Sequence, residues 1–163
     1  MRSRKENIIT PLNALEKARK YCAYSERCQY DVRLKIREWK QESEVAEWII
    51  AQLIQENFLN EERFVLAYTR GKLRQNRWGR IKIKHALKQK QISNYLINKA
   101  MQSIEDEEYI EILKIEIDKR IQKLKTLNFA EEQKIASYFQ QRGFELNLVF
   151  DIIKEIKNQD NDR

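Results

Sequence analysis

Residues 60–93 read NEERFVLAYTRGKLRQNRWGRIKIKHALKQKQIS, and the order of residue types in this stretch decides the fold. Asn60 can cap a helix whose first turn carries Glu61 and Glu62, where acidic side chains suit the electropositive N-terminus. Phe64, Ala67, Tyr68 and Gly71 then recur at three- and four-residue spacing, which predicts a helix with those residues on its buried edge. Gly79 breaks the pattern. Ile83 and Leu87 begin a second, shorter stripe bounded by Gln91, and Ser93 can cap a third helix carrying Leu96, Ala100 and Ile104.

The same long–short–long trio is legible on either side. Upstream, Thr10 can cap a helix with Pro11 at its first position and Leu12, Leu15, Ala18 and Cys22 along one face, ending near Ser25. Val32, Ile36 and Trp39 give a short second stripe. Val45, Ile49 and Leu53, flanked by Trp48 and Ile50, give a third that starts from the cap candidate Ser43. Downstream, the acidic start Glu105 to Glu108 leads Ile110, Leu113, Ile117, Ile121 and Leu124; Ile135 and Phe139 form a middle helix, and Val149, Ile152 and Ile156 a last one. Ile83, Leu87, Gln91 and Ile92 superpose on Ile135, Phe139, Gly143 and Phe144 with a shift of 52 residues, whereas Val32 and Ile36 fit less cleanly. With only three Gly and one Pro in 163 residues, turn-rich β architectures and glycine-rich phosphate loops are disfavoured.

The expected fold is therefore all-α, three tandem three-helix repeats forming an elongated, curved array. The repeats are placed at residues 12–58, 59–104 and 105–158, between an N-terminal tail (1–11) and a C-terminal tail (159–163). A compact irregular bundle would show similar spacings and stays open as the alternative.

Charge is unevenly distributed along the chain. Residues 1–60 carry 11 basic and 9 acidic side chains, residues 61–100 carry 11 and 2, and residues 101–163 carry 10 and 14. The middle unit thus holds a net +9 within a chain of net +7, and no Asp or Glu occurs between Arg63 and Ile104. Such a one-sign run repels itself unless an acidic or polyanionic partner answers it. Arg70, Lys72, Arg74, Arg77, Arg80, Lys82, Lys84 and Lys88 are the expected partner- or nucleic-acid-binding residues. Trp78, at the helix junction within this run, is either a core residue or an exposed aromatic for base stacking. No zinc finger, RNP pair or clear helix-turn-helix is present, so phosphate or acidic-surface binding is the supported reading.

Little in the chain resembles an active site. His85 is the only histidine, which excludes a multi-His metal site and leaves one possible base for any nucleophile. Cys22 and Cys28 form neither a CxxC pair nor a disulfide framework and read as reduced thiols. The acidic run Glu105 to Glu108 is better explained as a helix first turn than as a cation site, because consecutive helical residues point in different directions. No catalytic residue, metal or cofactor is expected, and neither a signal peptide nor a membrane span is legible, so the expectation is a cytoplasmic monomer.

From Phe58 onward the residues run Phe-Leu-Asn-Glu-Glu-Arg-Phe64, Tyr68-Thr-Arg70, Lys72, Gly79, Ile83, Leu87 and Lys90-Gln-Ile92. This order resembles the RecX family of bacterial recombination regulators, whose signature is an acidic pair, Arg-Phe, Tyr-x-Arg, a Gly, and Ile-x-x-x-Leu ahead of Lys-Gly-Ile. The likeness covers about residues 12–157, and Arg142-Gly143-Phe144 looks like the third unit's version of the motif. This chain departs from it with Asn60 where Asp is usual, Gln91 where Gly is usual, and no Gly after Trp39. The resemblance implies a modulator that lodges in the groove of the RecA filament on DNA and lowers strand exchange and repressor autocleavage in the SOS response, with direct contact to single- or double-stranded DNA as a further expectation. A helical architectural protein that binds DNA through phosphates alone is the alternative.

Overall fold

The computed structural model describes residues 9–161, and among them it forms nine helices and no strand. They are α1 (Pro11–Tyr24), α2 (Gln29–Glu38), α3 (Ser43–Gln55), α4 (Glu61–Arg74), α5 (Arg80–Gln89), α6 (Asn94–Gln102), α7 (Asp106–Ile121), α8 (Phe129–Gln141) and α9 (Leu146–Asn161). Residues 1–8 of the expected N-terminal tail and residues 162–163 of the C-terminal one lie outside the described residues. Pro11 is already helical, and residues 159–161 continue α9.

Helix starts follow side-chain chemistry. The Thr10, Asn60 and Ser93 side chains accept from the amides of Asn13, Arg63 and Leu96 at 3.2, 2.9 and 3.3 Å, each satisfying one of the amides that a helix N-terminus leaves unpaired. Asn128 does the same for Glu131 at 2.9 Å. Ser43 is not a cap: it is the first residue of α3, and Glu42 precedes it without a side-chain capping bond.

The three middle helices end alike. Lys40, Gln91 and Gly143 take left-handed backbone with φ of 56°, 58° and 92°. The next residues, Gln41, Ile92 and Phe144, then donate back to the carbonyls of Ile36, Leu87 and Phe139 at 3.4, 3.2 and 3.0 Å. This is the Schellman ending, in which a left-handed residue turns the chain so that otherwise unpaired carbonyls find donors. The first unit therefore shares the motif that its sequence hides, with Val32 and Ile36 buried where the other units place Ile83 and Leu87, and Ile135 and Phe139.

Every well-packed pair of helices lies inside one trio: α1, α2 and α3 pack mutually, as do α4, α5 and α6, while α9 packs on both α7 and α8. Side chains bury in two cores. One joins Leu15, Ala18, Val32, Ile36, Ile49 and Leu53 of α1–α3. The other runs continuously through α4–α9 and includes Leu73, Leu87, Tyr109, Phe139 and Phe144, with Cys28 reaching in from the first unit. Burying one such aliphatic or aromatic side chain contributes about 1.5–3 kcal/mol. The expected stripes hold in α1 at Leu15, Ala18 and Cys22 and in α7 at Leu113 and Ile117, but differ at single positions there and more widely in α4. In α4 the buried residues are Phe64, Val65, Thr69 and Leu73, whereas Ala67 is exposed and a Cβ on Gly71 would meet open space. Ala14 and Tyr109 are buried where Leu12 and Ile110 were expected, and both of the latter are exposed.

Two glycines fix how the second and third units meet. The amides of Gly79 and Ile81, at the start of α5, donate to the carbonyls of Arg142 and Gly143, at the end of α8, at 2.8 and 3.0 Å. A Cβ on Gly79 would fall 2.2 Å from the Gly143 oxygen, and one on Gly143 would fall 2.3 Å from the Lys82 Cβ. Only hydrogen fits at either position.

Candidate functional site

The eight cations singled out in the sequence lie on α4 (Arg70, Lys72, Arg74), on the connection that follows (Arg77) and on α5 (Arg80, Lys82, Lys84, Lys88). The connection is held rigidly. The Trp78 amide donates to the Lys72 carbonyl at 2.9 Å, Arg77 takes a positive φ of 55°, and the Gly79 amide is fixed by Arg142 as described. Trp78 is half-buried and packs against the larger core.

The structure divides the eight into two groups. Arg74, Arg77 and Arg80 meet carboxylates of the third unit. Arg74 makes a bidentate contact with Glu108, Nε to Oε1 at 2.5 Å and Nη2 to Oε2 at 3.1 Å. Arg77 reaches Glu116 at 3.3 Å, and Arg80 pairs with Asp106 and, at 3.8 Å, with Glu145. The hydrogen bonds from Arg74 hold the Glu108 carboxyl below its ordinary range, and the same bonds raise the Arg74 guanidinium. Arg80 also lies with its guanidinium 4.0 Å from the centre of the Tyr109 ring. The Tyr109 hydroxyl accepts from the Arg80 amide at 3.1 Å and donates to Glu145 at 2.6 Å; burial, then the Glu145 bond, pushes that hydroxyl's pKa far up. The acid-free run thus carries its partner within the same chain: much of its arginine charge is answered by acids 26 to 39 positions later.

Among the described residues, Arg70, Lys72, Lys82, Lys84 and Lys88 make no salt bridge. Arg70, Lys84 and Lys88 are exposed. Lys72 and Lys82 are half-buried because both lie on Trp78, with their ammonium nitrogens 4.6 and 4.4 Å from its ring centre. Lys72 is also 5.2 Å from the Tyr68 ring, over which Lys90 lies at 5.9 Å. Trp78 is thus neither a pure core residue nor a free stacking platform; it forms the edge of the core and seats two cations.

The first and second units join through side chains. Arg63 bonds Glu26 at 2.6 Å and the Asn57 carbonyl at 3.1 Å, Lys90 bonds Asp31 at 2.6 Å, and the Gln29 amide donates to Glu61 at 3.0 Å. Glu62, by contrast, pairs within its own unit with Lys99 at 2.6 Å. His85 is exposed on α5, whereas Cys22 and Cys28 are buried in different cores. Burial pushes the two thiols up to about 11 and about 12, so neither is a ready nucleophile. Among the described residues no helix is long and apolar enough to cross a membrane.

Residues 60–101 match the second three-helix domain of RecX, and residues 106–153 match the third. The chain belongs to the RecX family. It is similar to the regulatory protein RecX of Clostridium acetobutylicum, with 26% identity over 155 residues that cover 92% of this chain and 72% of that one. The regulatory protein RecX of Lactobacillus johnsonii is 30% identical over 99 residues, covering 61% of this chain and 36% of its own length. The fold matches the crystal structure of RecX from Lactobacillus salivarius with a TM-score of 0.78 at 21% identity, over 90% of this chain and 96% of that one. A second RecX crystal structure matches with a TM-score of 0.77 at 23% identity, over 89% and 71%. Against the RecX motif, Asn60 caps α4 through its side-chain oxygen, and Gln91 adopts the left-handed backbone that the motif's glycine suits. Both departures therefore keep the local geometry.

Proposed function

We infer that this RecX-family chain binds the RecA filament on DNA in its helical groove and lowers strand exchange, coprotease activity and hence the SOS response, as a cytoplasmic monomer with no reaction of its own. Family membership supports a regulatory role, and the observation that carries the finer reading is the cationic surface of the second unit. Among the described residues, Arg70, Lys72, Lys82, Lys84 and Lys88 have no carboxylate within salt-bridge distance, even though Arg74, Arg77 and Arg80 find theirs. A surface with that charge beside DNA-coated protein gains from phosphate proximity, and three linked units offer several points of attachment at once.

The same surface would serve an architectural protein that binds phosphates alone. Binding to RecA-coated and to naked single-stranded DNA at equal salt separates the two readings. A RecA-filament regulator prefers coated DNA and suppresses strand exchange. Equal affinity for both, with strand exchange unaffected, would reject it in favour of the architectural reading.

A further inference from the structure

Of the eight cations that the sequence singles out as one basic surface, three hold the third unit. Arg74, Arg77 and Arg80 face carboxylates that are part of the fold, so part of each guanidinium's charge and donor capacity is already taken up by Glu108, Glu116 or Asp106 before any external anion arrives. Lys72 and Lys82 stand differently. Neither has a carboxylate within salt-bridge distance among the described residues, and each is positioned by a ring rather than by an acid. Their ammonium groups are no farther apart than the sum of their distances to the shared Trp78 ring. Their seat is rigid, since Trp78 is tied to α4 through the Lys72 carbonyl and Gly79, the next residue, to the end of α8. Two cations held in place before an anion arrives avoid part of the ordering cost of binding.

We propose that Lys72 and Lys82, seated on Trp78, are a phosphate-binding pair for a nucleic-acid backbone, and that the arginines beside them are internal clamps that contribute little to that binding. The alternation of cations and rings favours a repeating polyanion over an isolated carboxylate. Tyr68, Lys72, Trp78 and Lys82 alternate ring and cation along the α4–α5 surface, with Lys90, already engaged by Asp31, also over the Tyr68 ring, and one strand of nucleic acid offers a phosphate about every 3.4 Å of axis. An ammonium engages a phosphate as a compact point charge without the paired geometry that an arginine requires. This inference rests on the reading of the chain as acting at DNA. Naked DNA is therefore the probe, so that a failed phosphate pair and a failed action on RecA give different results.

The test is the salt dependence of binding to a mixed-sequence single-stranded oligonucleotide, followed by fluorescence anisotropy of the full chain between about 50 and 200 mM salt. Each phosphate left unneutralised lowers the slope of log affinity against log salt by about 0.7 on single strands, so the K72Q/K82Q double variant should lower it by about 1.4. K72R/K82R, which keeps both charges, should retain the slope and shows whether charge rather than fold is being read. R74Q/R77Q should change the slope by less than one phosphate's share. The proposal is overturned if K72Q/K82Q keeps the wild-type slope, if R74Q/R77Q lowers it as much as the lysine variant does, or if the wild type binds no DNA at the lowest salt. A polyglutamate peptide of equal charge that binds as tightly as the oligonucleotide would overturn the assignment to nucleic acid.

Discussion

The amide of Gly79 donates to the carbonyl of Arg142 at 2.8 Å, so the start of α5 meets the end of α8 end to end across 63 residues of sequence. The two helix ends complete each other. Amides that a helix leaves unpaired at its start face carbonyls that another leaves unpaired at its finish, and their partial charges are of opposite sign. This contact requires that neither Gly79 nor Gly143 carry a side chain.

Gly79→Ala should therefore push α5 and α8 apart, because its Cβ would lie 2.2 Å from a backbone oxygen that cannot rotate away. Overpacking of this kind costs about 1–3 kcal/mol. Urea unfolding should show a lowered midpoint, whereas Gly71→Ala, with open space around its Cβ, should be neutral or slightly stabilising. A Gly79→Ala midpoint equal to that of the wild type would show that the junction is looser than described.

Gln91 holds a left-handed backbone at φ 58°, where a residue with a Cβ is strained by about 1–2 kcal/mol and glycine is not. Glycine gives back part of that gain through the greater freedom of its unfolded chain. Gln91→Gly should raise stability by about 0.5–1 kcal/mol, read as a higher Tm without loss of helix signal. A lower Tm would mean that the Gln91 side chain contributes more than its backbone costs.

Leu87 and Phe139 are buried at equivalent places in the second and third units, and each is the carbonyl acceptor of its helix ending. Leu87→Ala and Phe139→Ala should each cost about 2–5 kcal/mol by leaving a cavity. Ile81→Ala on the same helix as Leu87 removes a side chain that is 56% exposed, and should shift denaturant midpoints far less. Similar shifts for Leu87→Ala and Ile81→Ala would contradict the burial pattern.

The Arg74–Glu108 pair sets an expectation for acid. Arg74 holds the Glu108 carboxyl below its ordinary range, so the folded state binds fewer protons there than the unfolded chain. That contribution is complete above the ordinary carboxylate pKa of about 4.3 and is lost as pH falls through the lower, folded value. Glu108→Gln should be less stable than the wild type at neutral pH and converge with it in Tm as the pH is lowered towards 3. Curves that stay parallel across the whole range would show that the pair adds nothing to stability, as many exposed pairs do.

What was legible in the sequence was local. Thr10, Asn60 and Ser93 cap because a side-chain oxygen lies within reach of an amide three residues on, and Gln91 and Gly143 end their helices through left-handed backbone four residues after Leu87 and Phe139. Ile83, Leu87, Ile135 and Phe139 announced themselves by spacing alone. Tyr109 did not. Its ring is buried because its hydroxyl is satisfied by the Arg80 amide and Glu145, partners 29 and 36 residues away that no helical period reveals. The excess of basic residues in the second unit and of acids in the third was visible as a pair of opposite totals. That Arg74 meets Glu108, and Arg77 meets Glu116, depends on how α7 lies beside the α4–α5 connection, which the Gly79 and Gly143 contact determines. The repeat in the first unit was obscured because Lys40 stands where the third unit has Gly143, and a positive φ cannot be read from a lysine.

The division into two cores carries a consequence for how the molecule opens. The apolar side chains of α1–α3 lean mainly on one another, and the unit is tied to the rest by Cys28, Tyr30 and a few polar bonds, whereas α4–α9 share a single interior. A protein built this way loses cooperativity at its first joint, so that the N-terminal trio unfolds as a foldon while the remainder stays native. Native-state hydrogen exchange should find the amides of α1–α3 released together at lower denaturant than those of α5 and α8, whose release should coincide even though they belong to different units. Simultaneous release of all nine helices would show instead that the bonds of Arg63 and Lys90 couple the first trio to the rest as firmly as a shared interior would.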